Sequence, residues 1–213
     1  MPQGNATPHE LQQRNASRRR GSQLLESIYE ATTALIQQEG YANLSFQQIA
    51  RAVRTSRTVL YRRWATPLDL VREIMVYRAS QSLGSSFVDN VTDTGSLRGD
   101  LLHLLTIYQK MYDDVGPEIM NAFLFEMSQN NLRLEDISSN AVHSNIEATE
   151  KILAFARARG ETVRPLGTMA LTLPFDLVRI GNLWGVRTFD RQGLEELVDD
   201  ILLPVFSGGT DDA

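Results

Sequence analysis

Residues Ser45 to Trp64, SFQQIARAVRTSRTVLYRRW, set the reading of this chain. Phe46, Ile49, Ala50 and Val53 recur at i, i+3, i+4 and i+7, which lays four apolar groups along one stripe of a short helix. Ser45 stands ahead of it as an N-cap. Gln48, three residues on, completes an S-x-x-Q capping box in which the hydroxyl takes the Gln48 backbone N–H and the carboxamide reaches back. A second N-cap at Ser56 opens the segment Arg57 to Trp64, whose clear buried pair is Leu60 and Trp64 at i, i+4. The sequence therefore predicts two short helices joined by a tight turn.

The free face of the second helix carries the chemistry. With Leu60 and Trp64 turned inward, Thr58, Val59, Tyr61, Arg62 and Arg63 spread over the remaining arc at about 100° per residue. Arginine binds guanine O6 and N7 in bidentate fashion, hydroxyls reach phosphates, and an apolar branch touches a thymine methyl, so this face suits the DNA major groove. A solvated cationic face is the plain alternative. Arg62 lies farthest from the Leu60 and Trp64 side and is the expected base reader. The expected DNA contacts are Thr58, Val59, Tyr61, Arg62 and Arg63, joined by Arg57 and the flanking polar groups Ser45, Gln47, Ser56 and Thr66.

Taken together, Gly40-Tyr41, Ile49-Ala50, Ser56, Leu60-Tyr61, Trp64 and Leu70-Val71 make the stretch from Leu24 to Met75 resemble the TetR family of transcriptional regulators. The resemblance implies a three-helix head with a helix-turn-helix. It further implies a helical body whose last two helices pair with a second subunit, and an effector that shifts the linking helix and so the spacing of the two heads. There are two departures from the family pattern. Arg54 and Thr55 stand in the turn where the family has glycine and an aliphatic residue, and Pro67 stands where it often has a phosphate-directed lysine. Glycine tolerates positive φ at low cost, so Arg54 implies strain or a different turn.

Charge is divided along the chain. The net charge is −5, yet residues 1–66 hold nine arginines against four acids, a net +5 that leaves −10 for the rest. A basic head on an acidic body is the asymmetry expected when one end approaches phosphate. The chain has no cysteine, which excludes disulfides, thiolate zinc sites and cysteine nucleophiles. It has no apolar leader and no uncharged run near the roughly 20 residues a bilayer span needs, so a cytoplasmic protein without membrane contact is expected.

The predicted fold class is all-α. Residues 1–20 read as a disordered basic tail in which Arg18, Arg19 and Arg20 could reach phosphate or a minor groove. Residues 21–66 read as the helix-turn-helix domain, with a first helix opened by Ser22 and burying Leu25, Ile28, Ala31 or Thr32, and Leu35. Residues 67–206 read as a helical ligand-binding and dimerisation domain, and 207–213 as a second disordered tail. In the body, helices are predicted over 97–112, 117–128, 134–159, 165–186 and 194–206, after a linking helix from Thr66-Pro67 to near Gly84. The expected homodimer face is Met169, Leu173, Leu177, Ile180 and Trp184 on one helix, with Gly167, Ala170 and Gly181 allowing close approach. Leu194, Leu197, Val198, Ile201, Leu202 and Val205 would supply the other.

No catalytic constellation is legible. His9, His103 and His143 are far apart, no metal-ligand spacing occurs, and phosphate-loop, dinucleotide and nucleophile-elbow motifs are missing, so neither cofactor nor metal is expected. A small, mainly apolar organic effector is expected instead. Its candidate lining is His103, Tyr108, Asn121 and Phe123, with Met127, His143, Phe175 and Trp184. The leading expectation is a sequence-specific repressor released from a double-stranded DNA operator by that effector. The alternatives are a helical enzyme or carrier of a small metabolite, and a constitutive DNA-binding protein without effector.

Overall fold

A computed structural model of the chain describes residues 8–129, 134–185 and 189–207, the side chains of 8–20, 127–128 and 134–141 excepted. The chain divides into two compact units, Met1–Ile74 and Met75–Ala213. Among the described residues all regular structure is helical, and no helix is long and apolar enough to cross a membrane.

The first unit comprises α1 (Pro8–Glu39), a 3-10 turn (Tyr41–Asn43), α2 (Phe46–Ala52), α3 (Arg57–Tyr61) and the first half of α4 (Pro67–Leu83). Its core is Ile28, Tyr29, Thr32 and Ile36 of α1 against Phe46, Ile49 and Ala50 of α2, closed by Leu60, Trp64, Leu70, Val71 and Ile74. Thr32 and Thr33, buried on α1, return their hydroxyls to the Ile28 and Tyr29 carbonyls at 2.7 and 2.9 Å, so no polar group is left open there. Ile28 and Thr32 are buried as the spacing indicates, whereas Leu25 and Leu35 are only half-buried and Ile36 is buried in place of Leu35. The first helix also starts earlier than Ser22. It runs unbroken from Pro8, because residues 9–20 hold neither proline nor glycine, and the tail expected to be disordered is thus helical over 8–20. Residues 1–7, and the side chains of Arg18, Arg19 and Arg20, lie outside the described residues.

The second unit is built around α5 (Leu97–Val115), which packs against α6 (Pro117–Gln129), α7 (Leu134–Ala158), α8 (Thr168–Trp184) and α9 (Arg191–Leu197). From α9 the chain continues through a π-helical turn, Val198–Leu202, into α10 (Leu203–Ser207). The core joins Leu101, Leu104, Leu105 and Tyr108 of α5 to Ile152 and Ala156 of α7, Phe175 and Val178 of α8, and Val198, Leu202 and Phe206 of the final helix. One charged cluster pins the end of α7 to the start of α5. Arg159 bonds Asp93, Asp100 and Glu161, and the fully buried Asp100 also accepts from the Thr94 amide and hydroxyl at 2.7 Å. The buried Asp100 carboxylate thus has both a cation and hydrogen-bond donors, as a buried charge requires, while the other two carboxylates keep contact with solvent.

Three boundaries shift for local reasons. α8 begins at Thr168, not Pro165, because Arg164 donates its N–H to the Phe206 carbonyl and holds that segment extended. The final helix begins at Arg191, since the Asp190 carboxylate caps it through the Gly193 N–H at 2.9 Å. Ser207 closes α10 and is not in a tail; residues 208–213 lie outside the described residues. Pro174 sits buried inside α8, and the Thr149 hydroxyl donates to the Leu171 carbonyl at 2.9 Å in the turn where proline supplies no donor.

The expected dimer face is corrected in part. Leu194, Leu197, Val198 and Leu202 are buried in the subunit's own core, with Ile201 and Val205 packed beside them. Gly181 likewise serves an internal contact, since a Cβ there would lie 2.3 Å from the Phe189 ring. Met169, Ile180, Leu183 and Trp184 of α8 remain outside, at 88, 49, 38 and 73% exposure.

Candidate nucleic-acid interface

α2 and α3 are held by the hydroxyls that the sequence assigns to them. Ser45 Oγ accepts the Gln48 N–H at 3.4 Å and donates to Gln48 Oε1 at 2.7 Å. The Gln48 carboxamide then reaches Glu39 at 2.6 Å instead of the Ser45 backbone, so the box ties α2 to the end of α1. Ser56 Oγ accepts from Val59 N at 3.4 Å and starts α3. Between them the chain reverses through a Schellman motif. The Thr55 N–H bonds the Ala50 carbonyl at 2.9 Å, the Arg54 N–H bonds the Arg51 carbonyl at 3.3 Å, and Arg54 occupies the left-handed position with φ 54°. Among the described residues it is the one non-glycine with positive φ. The same motif at the end of α7, Glu161 N–H to Ala156 and Gly160 N–H to Arg157, uses Gly160 there, at φ 81°.

The outward side of this motif is cationic and open. Arg51, Arg54, Arg57, Thr58 and Arg62 are exposed, with Gln47 beside them, and no acid pairs with these four arginines among the described residues. Tyr61 is 60% exposed while its ring edge packs on Phe46 at 4.9 Å, which fixes where the hydroxyl points. Val59 is half-buried. Arg62 forms the C-cap of α3, with its side chain in solvent.

Arg63 differs from the expectation. Its Nη2 donates to Glu73 Oε1 at 2.6 Å, and its guanidinium lies over the Trp64 ring at 5.3 Å. The same carboxylate accepts from Trp64 Nε1 at 2.8 Å and from the Tyr29 hydroxyl at 2.6 Å. Burial pushes the Glu73 carboxyl up, but the bonds from Arg63, Tyr29 and Trp64 outweigh it and hold the pKa below the ordinary glutamate value. Arg63 is thus a strut between α3, α4 and α1. Thr66 is committed as well. It trades bonds with Asp69, hydroxyl to carboxylate at 2.8 Å and Asp69 N–H to hydroxyl at 3.2 Å, in a reciprocal cap of α4.

In the body the candidate lining residues come together only in part. Tyr108 and Phe175 are buried with ring centroids 5.0 Å apart, and Phe87 joins them at 6.0 and 5.8 Å. Phe123 is buried on α6. His103 is half-buried with Nε2 3.2 Å from the Asn90 carbonyl oxygen. Asn121, His143 and Trp184 are exposed, and the Met127 side chain lies outside the described residues. Arg179 and Phe87 had no signal in the sequence, since neither stands at an informative spacing.

A capped helix pair of this geometry, with unpaired arginines along its outer side and a separate helical body, defines a helix-turn-helix DNA-binding protein. Residues 28–74 match the family model of bacterial regulatory proteins of the tetR family, and residues 91–201 match that of the tetracyclin repressor-like C-terminal domain. The chain belongs to the TetR family of transcriptional regulators. It is similar to the DNA-binding transcriptional repressor TetR of Mycobacteroides abscessus, 22% identical over 190 residues that cover 89% of this chain and 97% of that protein. Among solved structures it shares its fold with a tetR-family regulatory protein from Rhodococcus RHA1, at a TM-score of 0.64 and 15% identity over 85% of this chain and 96% of that one. NalD of Pseudomonas aeruginosa, the secondary repressor of the MexAB-OprM multidrug efflux pump, matches at a TM-score of 0.62 and 18% identity over 90% and 99%.

Proposed function

We propose that the chain is a repressor that binds a palindrome-like duplex site as a homodimer and leaves it when a small organic molecule occupies the body. The observation that carries this reading is the open face of Arg51, Arg54, Arg57, Thr58, Tyr61 and Arg62, where four cations lack an internal partner among the described residues while Arg63 beside them has one. Cations kept free in this way serve phosphate neutralisation and base contact. Two of the similar proteins are described as repressors, which supports the sign of regulation. The outer stripe of α8, Met169, Ile180, Leu183 and Trp184, supports self-association. At about 100° per residue these side chains fall within one arc of the helix, and exposed apolar groups of this size mark an interface. The ring cluster of the buried Tyr108 and Phe175 with the half-buried Phe87 supports an effector site within the body.

The test is selection of bound sequences from a random duplex library, followed by titration of the winning site against salt. Recovery of a two-fold symmetric site with a steep salt dependence is expected. Equal affinity for the selected and random duplexes at every salt concentration refutes the reading.

A further inference from the structure

Between α5 and α8 the body buries polar groups that its packing does not use. Arg179 donates Nη1 to Asp176 at 2.6 Å and Nη2 to the Tyr108 hydroxyl at 3.2 Å. Asp176 is 43% exposed at its side chain, whereas Tyr108 is buried, so one arm of the guanidinium faces solvent and the other faces inward. Burial works against that charge, and Tyr108 and Asp176 more than restore it, leaving Arg179 firmly protonated. One turn after Tyr108 on α5, Tyr112 is 4% exposed and its hydroxyl has no hydrogen-bond partner among the described residues. Burial first, and then Tyr108 and Asp113, push that phenol upward, so it stays a neutral donor; four residues apart on one helix, Tyr108 and Tyr112 share a face of α5. Gln109 and Asn182, on the same two helices, satisfy each other at 2.8 Å and add no free group.

The remaining donor set is specific. The inward guanidinium arm has only a neutral phenol as its acceptor, and the Tyr112 O–H has none among the described residues, beside the ring cluster of Phe87, Tyr108 and Phe175; an acceptor that is negative and carries two oxygens would serve both. An apolar environment strengthens such charge-assisted bonds, and a buried O–H left open costs stability in the free protein without return. A carboxylate supplies what is missing; a cation or a neutral hydrocarbon does not.

We propose that the effector is an apolar organic acid whose carboxylate is held by Arg179, Tyr108 and Tyr112, with its aliphatic or aryl part against Phe87 and Phe175. The assignment rests on the reading of the chain as an effector-responsive regulator and narrows the effector to an anion. Phe87 lies half-buried in the segment between α4 and α5, and its displacement opens the ring cluster to the apolar part of the acid.

The experiment uses the full chain and matched probes: decanoic acid with its methyl ester, and 4-phenylbutyric acid with its primary amide. Each is scored by melting temperature and by release of the selected operator. The acids are expected to stabilise the protein and release DNA, with the ester and amide weaker by about tenfold or more, the factor one lost bond to a charged group gives. Arg179→Gln is expected to abolish the preference for acid over amide. Tyr112→Phe is expected to raise the melting temperature of the free protein while weakening the acids, a pairing that a purely structural tyrosine does not produce. Neutral probes that release DNA as well as the acids, or acid binding unchanged in Tyr112→Phe and Arg179→Gln, overturn the proposal while leaving the effector reading standing. Operator binding that no probe of either kind disturbs overturns both.

Discussion

Replacing Arg54 by glycine tests the turn of the helix-turn-helix directly. At φ 54° the residue sits where an L side chain presses Cβ against the following carbonyl, a cost of roughly 1–2 kcal/mol. Glycine removes that cost but gives up about 0.5–1 kcal/mol through its greater freedom in the unfolded chain. The net expectation is a stabilisation of about 1 kcal/mol. In a unit the size of Met1–Ile74 this raises the melting midpoint by roughly 4–8 °C. Trp64, buried in that unit, reports its unfolding by fluorescence once the other tryptophan is removed as Trp184→Phe. Arg54→Ala separates the two roles of the side chain, for it loses the same charge and keeps the strained φ. Only the glycine variant gains stability, whereas both weaken operator binding and flatten the slope of log K against log salt by about 0.9 if the arginine neutralises one phosphate. A glycine variant that melts at or below the parent refutes the argument, since the left-handed position would then carry no penalty.

Arg62→Ala is expected to relax specificity at one base pair by about 1–3 kcal/mol in competition binding, whereas Tyr61→Phe weakens all duplexes alike. Arg63→Ala, unlike Arg62→Ala, lowers the melting temperature of the head, because it removes the Glu73 contact. The Glu73 carboxyl is held below its ordinary value in the folded chain, so its contribution is complete above the unfolded value near 4.3 and disappears as pH falls through the lower folded one. The melting difference between the parent and Glu73→Gln therefore persists at neutral pH and closes in acid. Trp184→Glu, which places a charge in the outer stripe of α8, is expected to convert the proposed homodimer to monomer in sedimentation, with the helical circular dichroism of the chain retained.

The head was legible because its signals are local. Ser45, Ser56 and the Phe46, Ile49, Ala50 stripe act within a few residues of themselves, and Arg54 stood out as a cationic side chain in a turn suited to glycine. What escaped is tertiary. Arg63 and Glu73 lie on different helices, so nothing in the spacing told a groove-reading arginine from a strut. Periodicity likewise identified the apolar face of the final helix, but a face says only that it is covered. Leu194, Leu197, Val198 and Leu202 proved to be covered by their own subunit. Residue type marks a candidate effector contact but does not fix its depth: Tyr108 and Phe175 are buried and Asn121 and Trp184 are not. The Tyr112 hydroxyl gave no sign at all, because an unmatched donor becomes visible only when its surroundings are known.

The wide turn at Val198–Leu202 has a bearing on how the chain tolerates changes in length. Between Leu194 and Phe206 an uninterrupted α-helix accumulates about 120° of rotation beyond whole turns, yet both residues are buried in one core. The Leu203 N–H reaches back to Val198 and takes up much of that angle. The segment therefore contains a residue more than its span demands. Deleting Asp200, which is exposed, lets the turn tighten to α geometry with Phe206 still directed inward, whereas a deletion in the middle of α8 rotates everything beyond it. The final helix holds a spare register step, and it is the place in the body where losing a residue costs least.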